Sequence, residues 1–316
     1  MPTTSKKRVK PPSLQQGDTV GIIAPASNIA PDPLEAGCNA IRKMGFNLFY
    51  FDSILEKDLY FAGALTRRVQ ELEEMFVRDD VKAIVCARGG YGTNYLLRAV
   101  NPKTIVRHPK IFVGYSDITT LLTWFSDKGM VCFHGPMAAK DFAVADGVHS
   151  ASWQAALSGQ DEWSLNSDTG AEPMIEGTAE GTLYGGCLSM LVASLGTPYE
   201  IQTANTILFI EDVYTKPFQI DRMLMQLKLA GKLSRVKGII FGEMLDCIQQ
   251  PNQDYTLQEV ILRIVEDLQI PVGFGFRSGH VSRSNITLPI GVRARLTVMS
   301  KEVKLEILES ATVTKK

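Results

Sequence analysis

The sequence predicts an α/β protein of two domains. In the first half, short apolar runs rich in β-branched residues alternate with longer stretches of helical period, which is the pattern of βα units that feed a parallel sheet. A chain of 316 residues has room for two domains at roughly 150 residues each. A polar stretch at 151–178, rich in Ser, Gly, Asp and Glu, separates the two halves.

The elements of the first half follow from apolar periodicity and from glycines that stop helices. Gly45 and Gly129 each follow a stretch of helical period, where a helix stop belongs. Strands are expected at 19–24, 47–51, 81–87, 111–114 and 130–133, and helices at 34–44, 67–76 and 118–125.

The second half mixes the two kinds of element. Helices are expected at 188–195, 218–229 and 257–268, and strands at 206–210, 236–241, 293–298 and 303–308. The sequence therefore divides into a basic flexible tail, a first domain, a connector and a second domain, at 1–16, 17–150, 151–178 and 179–316.

Composition excludes several classes of partner. The 33 basic and 34 acidic side chains give a formal charge of −1, so no global field attracts nucleic acid or an anionic membrane. The basic cluster at 6–10 has no apolar run behind it and is not expected to be a signal peptide. No window approaches 18 consecutive apolar residues, so no membrane-spanning helix is expected.

Cysteine usage indicates a reducing compartment. The five cysteines are scattered singly, without a CxxC pair, which argues against a disulfide framework and against a zinc site. HExxH and HxH motifs are absent as well, so no metal is expected. These features predict a cytoplasmic protein that acts on a small or locally recognised partner.

Ser116 is the residue whose position points most directly to chemistry. It follows the apolar strand at 111–114 and precedes a helix, and such a turn lifts a side chain above the carboxyl edge of a parallel sheet. Amides at the start of the helix favour a developing oxyanion. The turn resembles a nucleophile elbow, although Ile118 stands where that motif has glycine. Ser116 is either a nucleophile or a helix N-cap.

A serine nucleophile needs a base, and the chain has four histidines. His108 precedes a proline in a charged turn and His149 lies in the polar stretch, so both are expected at the surface. His134 follows an apolar run and suits a strand end, whether it acts as base or as a buried residue bonded to backbone. His280 lies in a glycine-rich loop at 273–280, which no core strand or helix would need, so catalytic and structural roles are equally open.

Two carboxylates stand where the apolar strand at 206–210 stops. Glu211 and Asp212 could orient the base, since strand ends carry catalytic groups in α/β proteins. They could also cap the following helix or pair with a nearby lysine. The order Ser, acid, His matches one known order of a catalytic triad.

Two glycine-rich turns could bring backbone amides to a substrate. Arg88-Gly89-Gly90-Tyr91-Gly92 follows the strand at 81–87 and could form an oxyanion hole, a phosphate cradle or a plain turn. The nucleotide motifs GxGxxG and GxxxxGK[ST] are both absent. Gly185-Gly186 is expected to open the helix at 188–195.

Seven segments, in this order, resemble the LD-carboxypeptidase family of serine peptidases. The resemblance extends from about residue 17 to about residue 308. The segments are Arg88-Gly89-Gly90-Tyr91-Gly92, Gly114-Tyr115-Ser116-Asp117, Phe133-His134-Gly135-Pro136, Gly185-Gly186, Phe209-Ile210-Glu211-Asp212, Ile220-Asp221-Arg222-Met223-Leu224 and Gly279-His280.

The resemblance implies a hydrolase whose active site lies at a cleft between two domains. The N-terminal domain would be a flavodoxin-like parallel sheet carrying the nucleophile, and the mixed α/β C-terminal domain would supply acid and base. Ser116 would be the nucleophile, Glu211 the acid and His280 the base, with the amides of Gly90 and Asp117 as the oxyanion hole. The family needs no cofactor or metal and commonly forms homodimers.

The resemblance also implies a substrate class. Well-known members release the terminal D-alanine from murein tetrapeptides during cell-wall recycling in the cytoplasm. Substrate contacts are then expected from four residues, Tyr91, His134, Gly186 and Arg222. Close relatives, the microcin immunity peptidases, hydrolyse peptidyl or aminoacyl nucleotides and lack the segment at 220–224 that this chain has.

Two departures and one rival interpretation stand beside this expectation. Cys187 replaces the asparagine of a Gly-Gly-Asn pattern, and Lys216 stands where an acidic residue often precedes a Pro-aromatic pair. Both bear on substrate contacts rather than on the chemistry. The rival interpretation is a non-catalytic α/β protein whose glycine turns hold a small anion.

Overall fold

The computed structural model describes residues 8–166, 169–248 and 252–314, and it contains two β-sheets flanked by helices. The α-helices are α1 (Pro31–Lys43), α2 (Leu65–Val77), α3 (Pro102–Arg107), α4 (Thr119–Asp127), α5 (Ser150–Leu157), α6 (Leu188–Ala193), α7 (Pro217–Leu229) and α8 (Leu257–Val265). The strands are β1 (Thr19–Ile23), β2 (Asn47–Phe49), β3 (Val81–Cys86), β4 (Ile111–Gly114), β5 (Cys132–His134), β6 (Trp163–Leu165), β7 (Glu172–Ile175), β8 (Gly177–Cys187), β9 (Thr206–Glu211), β10 (Gly238–Gly242), β11 (Val272–Phe276), β12 (Leu288–Ile290), β13 (Arg293–Met299) and β14 (Glu302–Ile307).

The first sheet confirms the predicted flavodoxin-like arrangement. Its order is β12-β5-β4-β3-β1-β2, and β1 to β5 pair in parallel, so the order 2-1-3-4-5 is that of flavodoxin. The strands β1, β3 and β4 are apolar and almost wholly buried, as expected of parallel strands covered on both faces. The sixth strand, β12, runs antiparallel to β5 and pairs Leu288 with His134.

The second sheet is mixed, as predicted for the second half. Its order is β6-β14-β13-β8-β9-β10-β11-β7. The four central strands β8 to β11 are parallel, and antiparallel strands flank them on both sides. β9 is buried along its whole length, so its last residue, Glu211, lies at the carboxyl edge of the sheet but inside the protein.

The two sheets meet where α4 packs against β8 and α6. Gly186 allows this approach, because a Cβ there would lie 2.5 Å from Thr119 Oγ1 on α4. Gly185 is required within the sheet, because a Cβ there would lie 2.0 Å from the carbonyl oxygen of Phe209 on the neighbouring strand β9. The Cys187 amide donates to Thr119 Oγ1 at 3.0 Å. These glycines therefore end a strand, whereas the sequence predicted that they open a helix.

The glycine-rich stretch before His280 is a strand in part, which corrects the expectation of a loop. Val272–Phe276 forms β11, which pairs with both β10 and β7. Gly273 is required by packing, since a Cβ there would lie 2.9 Å from Val303 Cγ1. Only the residues after Phe276, including His280, lie in a loop.

The segment at 151–178 differs from the expected connector. It contains most of α5, together with β6 and β7, because its apolar side chains have partners in the core: Trp153 is 4% exposed and packs edge-on against Phe142. The domain boundaries drawn from the sequence stay a prediction.

The start of the chain is also more ordered than the expected tail. Lys6 and Lys7 lie outside the described residues, but Val9 forms a parallel bridge with Met130. Lys10 Nζ lies 2.7 Å from Glu309 Oε2, so this charge has a partner instead of being solvated alone.

Candidate active site

The turn that carries Ser116 is strained in the way that a nucleophile elbow requires. Ser116 has φ of 63°, a left-handed conformation that costs a non-glycine residue about 1–2 kcal/mol. The turn links β4 to a single 3₁₀ turn, Ser116–Ile118, which continues into α4. Gly114 permits this turn, since a Cβ there would lie 2.8 Å from Ile118 Cγ2. Ser116 is half-buried at the carboxyl edge of the first sheet.

The glycine turn after β3 lies directly against Ser116. A Cβ on Gly89 would lie 2.7 Å from Ser116 Cβ and 3.2 Å from the Asp117 amide nitrogen. Gly90 has φ of 103°, and a Cβ there would lie 2.4 Å from Ser27 Oγ. The turn therefore packs its backbone against Ser116 at a distance that a side chain at 89 would not allow, and a side chain at 90 would collide with Ser27.

Asp117 ties the two turns together through its side chain and carbonyl. Its Oδ2 accepts a hydrogen bond from the Thr93 amide at 2.9 Å, and its carbonyl accepts one from Thr93 Oγ1 at 2.7 Å. Burial raises the pKa of Asp117, and the hydrogen bonds from Thr93 act against that rise. The result is a fixed spacing between the glycine turn and the nucleophile turn.

Glu211 contacts His280 through both the backbone and the ring. Glu211 Oε2 accepts from the backbone amide of His280 at 3.0 Å and lies 2.7 Å from its Nδ1. Burial favours a higher pKa for Glu211, but the charge of His280 and the hydrogen bond from its ring outweigh it, so the pKa of Glu211 lies well below its usual range. Burial favours a lower pKa for His280, but Glu211 outweighs it and raises that pKa.

The His280 loop is fixed by Asn285, a residue that no expectation from the sequence included. The Asn285 side chain accepts from the Gly279 amide at 3.0 Å and donates to the Gly279 carbonyl at 3.0 Å and to Asp141 Oδ1 at 3.2 Å. Burial raises the pKa of Asp141 to about 6. No sequence motif marks Asn285 or Asp141, because their role depends on contacts between distant segments.

Tyr115 links the nucleophile turn to the His280 loop. It is the residue before Ser116, and its ring packs edge-on against the imidazole of His280 with centroids 5.1 Å apart. Its hydroxyl lies 3.4 Å from Asp141 Oδ1. The structure therefore brings the segments of Ser116, Glu211 and His280 to one place where the two sheets meet.

The structure places His134 behind Glu211 and not on a surface that a substrate can reach. His134 ends β5 and is fully buried, with Nε2 3.8 Å from Glu211 Oε1 and Nδ1 2.9 Å from Ser278 Oγ. The expected direct contact between His134 and a substrate is not available in this conformation.

The other expected substrate contacts differ in exposure. Tyr91 is 40% exposed and packs with three further aromatic side chains, those of Tyr60, Phe61 and Tyr95. Gly186 is buried against α4. Arg222 is exposed on α7, with its guanidinium 6.0 Å from the ring of Phe218.

The two residues that depart from the family pattern both lie at the N-terminus of a helix. Cys187 is buried at the N-terminus of α6, and burial raises the pKa of its thiol. Lys216 is exposed at the N-terminus of α7, where its amide donates to Gln219 Oε1 at 3.0 Å. Asp212 accepts from the amide and hydroxyl of Ser189 and so caps α6, which precedes it in the chain, whereas the sequence had offered a cap of the helix that follows it.

The described residues contain no cluster of three or more His, Cys, Asp or Glu side chains that could hold a metal ion. Within the same ranges, no helix has both the length and the apolar composition needed to cross a membrane.

Comparison with known proteins decides the family. The family model of the LD-carboxypeptidase N-terminal domain matches residues 20–135, and that of the C-terminal domain matches residues 180–296. The chain belongs to the LD-carboxypeptidase family. It is thus a hydrolase of the serine carboxypeptidase class, as the resemblance in the sequence implied.

Relatives of known name cover nearly the whole chain. A probable murein peptide carboxypeptidase of Bacillus subtilis is 39% identical over 303 residues, 94% of each chain. A murein tetrapeptide carboxypeptidase of Pseudomonas aeruginosa is 28% identical over 88% of this chain and 92% of its own. The microcin C7 self-immunity protein of Escherichia coli is 28% identical over 92% of this chain and 94% of its own.

Solved structures confirm the fold. The muramoyltetrapeptide carboxypeptidase of Oxalobacter formigenes superposes with a TM-score of 0.83 at 28% identity, over 92% of this chain and 99% of that one. An MccF-like protein of Bacillus anthracis superposes with a TM-score of 0.86 at 26% identity, over 95% of this chain and 99% of its own. Proteins named for two different activities therefore share this architecture.

Proposed function

We propose that this enzyme releases the terminal D-alanine from murein tetrapeptides by means of a Ser116–His280–Glu211 triad. The observation that carries the proposal is the pair of hydrogen bonds by which Glu211 holds both the backbone and the ring of His280. The strained turn at Ser116 and the packing of Tyr115 on His280 support it. The relatives named as murein peptide carboxypeptidases support the substrate class.

In this mechanism His280 is the general base. Its Nδ1–H donates a hydrogen bond to the ionised Glu211 carboxylate and keeps its proton, so Nε2 of the neutral ring has a free lone pair. Nε2 accepts the hydroxyl proton as Ser116 Oγ attacks the carbonyl before the terminal D-alanine, and then returns it to the leaving amine. Water repeats the sequence on the acyl-enzyme. Glu211 stabilises the imidazolium in both steps.

Backbone amides would stabilise the tetrahedral intermediates. The amides of Gly90 and Asp117 are the proposed donors, because the glycine turn and the first turn after β4 lie directly against Ser116. A donor of this kind contributes about 3–4 kcal/mol to transition-state stability. The exposed ring of Tyr91 in this turn is a proposed substrate contact, as is the exposed Arg222. Gly186 is buried against α4, so its proposed role is to let the sheets approach each other at the site.

The proposal extends to the setting of the reaction. We infer a cytoplasmic enzyme of cell-wall recycling that acts as a homodimer, since the family resemblance implies both. Hydrolysis of aminoacyl or peptidyl nucleotides is the second candidate, favoured by 28% identity to the microcin C7 self-immunity protein. The presence of residues 220–224, a segment that the resemblance implies is missing from immunity peptidases, favours the murein peptide.

The test compares Ser116→Ala with Ser164→Ala, an exposed serine on the edge strand β6. Both variants are expected to fold, and mass spectrometry should show D-alanine release from murein tetrapeptide by the wild type and by Ser164→Ala only. A fluorophosphonate probe should label the wild type and not Ser116→Ala. Release by Ser116→Ala at the wild-type rate would refute the triad, and turnover of an aminoacyl sulfamoyl adenosine but not of tetrapeptide would refute the substrate.

A further inference from the structure

Two buried polar atoms face each other behind the proposed triad without a hydrogen-bond partner. They are Glu211 Oε1 and His134 Nε2, which lie 3.8 Å apart, and both side chains are fully buried. The other carboxylate oxygen, Oε2, is already occupied by the ring and the amide of His280. An unpaired buried polar atom costs about 1–3 kcal/mol, so this pair needs an explanation.

The neighbours of His134 determine which of its nitrogens carries a proton. Ser278 Oγ donates its only proton to the Ile286 carbonyl at 2.8 Å. The same oxygen lies 2.9 Å from His134 Nδ1 and can therefore only accept there, so Nδ1 must carry a proton. Nε2 is then the atom whose protonation decides the charge of the ring.

A neutral His134 would place a lone pair of Nε2 against the lone pairs of an ionised carboxylate inside the protein. A second proton, on Nε2, turns this repulsion into a charge-assisted contact and gives Oε1 its missing donor. We propose that His134 is a doubly protonated positioning residue that holds Glu211 from behind, so that the carboxylate lies between two imidazoles. This inference rests on the proposed roles of Ser116, His280 and Glu211.

The charge on His134 has a consequence for the general base. Within the described ranges, the titratable and charged groups that face His280 are Glu211 at the end of β9, Asp212 directly after it, Tyr115 from the nucleophile turn and Lys140. A positive His134 on the far side of Glu211 opposes protonation of His280 and keeps it available as a base at lower pH. Removal of that charge should make His280 easier to protonate.

The first test observes the proton itself in the wild-type enzyme. Nitrogen-15 NMR of histidine-labelled protein at pH 7 should show both nitrogens of His134 protonated, with the resonances assigned by their loss in His134→Gln. An unprotonated Nε2 at pH 7 would overturn the inference. This measurement does not depend on turnover, so it can fail while Ser116-dependent D-alanine release stands, and the reverse.

The second test uses two uncharged variants that keep different contacts. In His134→Gln the side-chain amide nitrogen takes the place of Nε2 and can still donate to Glu211. In His134→Asn the amide nitrogen takes the place of Nδ1, so it can reach Ser278 but leaves Glu211 Oε1 unpaired. We expect kcat to fall about a hundredfold in His134→Asn, as for a misplaced catalytic group, and to be largely restored in His134→Gln.

The pH profile separates this role from simple packing. In His134→Gln the acid limb of the pH profile of kcat/KM should shift to higher pH by about one unit. This is the size expected for the repulsion between two unit charges on either side of a carboxylate at an effective dielectric constant of about 20. An acid limb at the wild-type pH in a folded His134→Gln enzyme would overturn the proposed charge. Equal kcat in the two variants would overturn the positioning of Glu211.

Discussion

Gly279→Ala tests whether the His280 loop positions the triad. Gly279 has φ of 92°, and a Cβ there would lie 2.6 Å from Glu211 Cδ and 2.7 Å from Oε2, the oxygen that holds His280. The left-handed backbone costs an alanine about 1–2 kcal/mol, and the overlap with a packed side chain costs about 1–3 kcal/mol more. We expect the free energy of unfolding to fall by about 2–5 kcal/mol in total.

The activity should fall by more than the stability explains. Because the new methyl group displaces Glu211 from His280, kcat should fall about a hundredfold at temperatures where the variant is fully folded. Urea unfolding followed by circular dichroism gives the stability, and D-alanine release gives kcat.

Gly129→Ala is the matched control. Gly129 has φ of 94°, and a Cβ there would have no atom within 4 Å, so the substitution carries the backbone cost alone, about 1–2 kcal/mol. Its kcat should equal that of the wild type. If the two alanine variants lose equal stability and Gly279→Ala retains full activity, the steric argument is refuted.

Three further substitutions test other contacts of the site. Burial raises the pKa of Asp141 from 3.8 to about 6, so the stability that this group contributes is full below the lower value and is lost as pH rises through the higher one. The free energy of unfolding of Asp141→Asn, measured in urea, should therefore rise relative to that of the wild type by up to about 3 kcal/mol between pH 4 and pH 7. A difference between the two proteins that does not change with pH would contradict this. Gly89→Ala brings a methyl group 2.7 Å from Ser116 Cβ, so kcat/KM and fluorophosphonate labelling should both fall about a hundredfold; unchanged labelling would count against the close approach. Asp212→Ala removes the acceptor of the Ser189 amide and should lower the free energy of unfolding, measured in urea, by about 1–2 kcal/mol. An unchanged free energy of unfolding would show that Asp212 does not stabilise the start of α6.

The parallel strands could be predicted because strands that are buried on both faces consist of continuous apolar runs in the sequence. The strands β1, β3, β4 and β9 appear in the structure within one or two residues of their expected bounds. β8 and β11 were not found, because their glycines, such as Gly185 and Gly273, read locally as turns. Those glycines are selected by close approach of a neighbouring strand or side chain, which a single sequence does not display.

The residues of the site also fall into a group that the sequence could predict and a group that it could not. Ser116, Glu211 and His280 could be proposed because each stands at a strand end or in a loop beside a recognisable pattern. Asn285 and Asp141 could not, since the two are 144 positions apart and meet only after both sheets have formed. Residues that position a catalytic group through long-range contacts leave no local pattern.

The strand β12 makes the two halves of the chain depend on each other during synthesis. Leu288–Ile290 supplies the outer neighbour of β5, the strand that ends in His134. Until those residues leave the ribosome, the nascent first half exposes an unpaired strand edge, a known template for aggregation. A fragment cut at residue 150 would keep that edge open permanently, so it should need either the missing strand, added as a peptide, or a chaperone to remain dispersed.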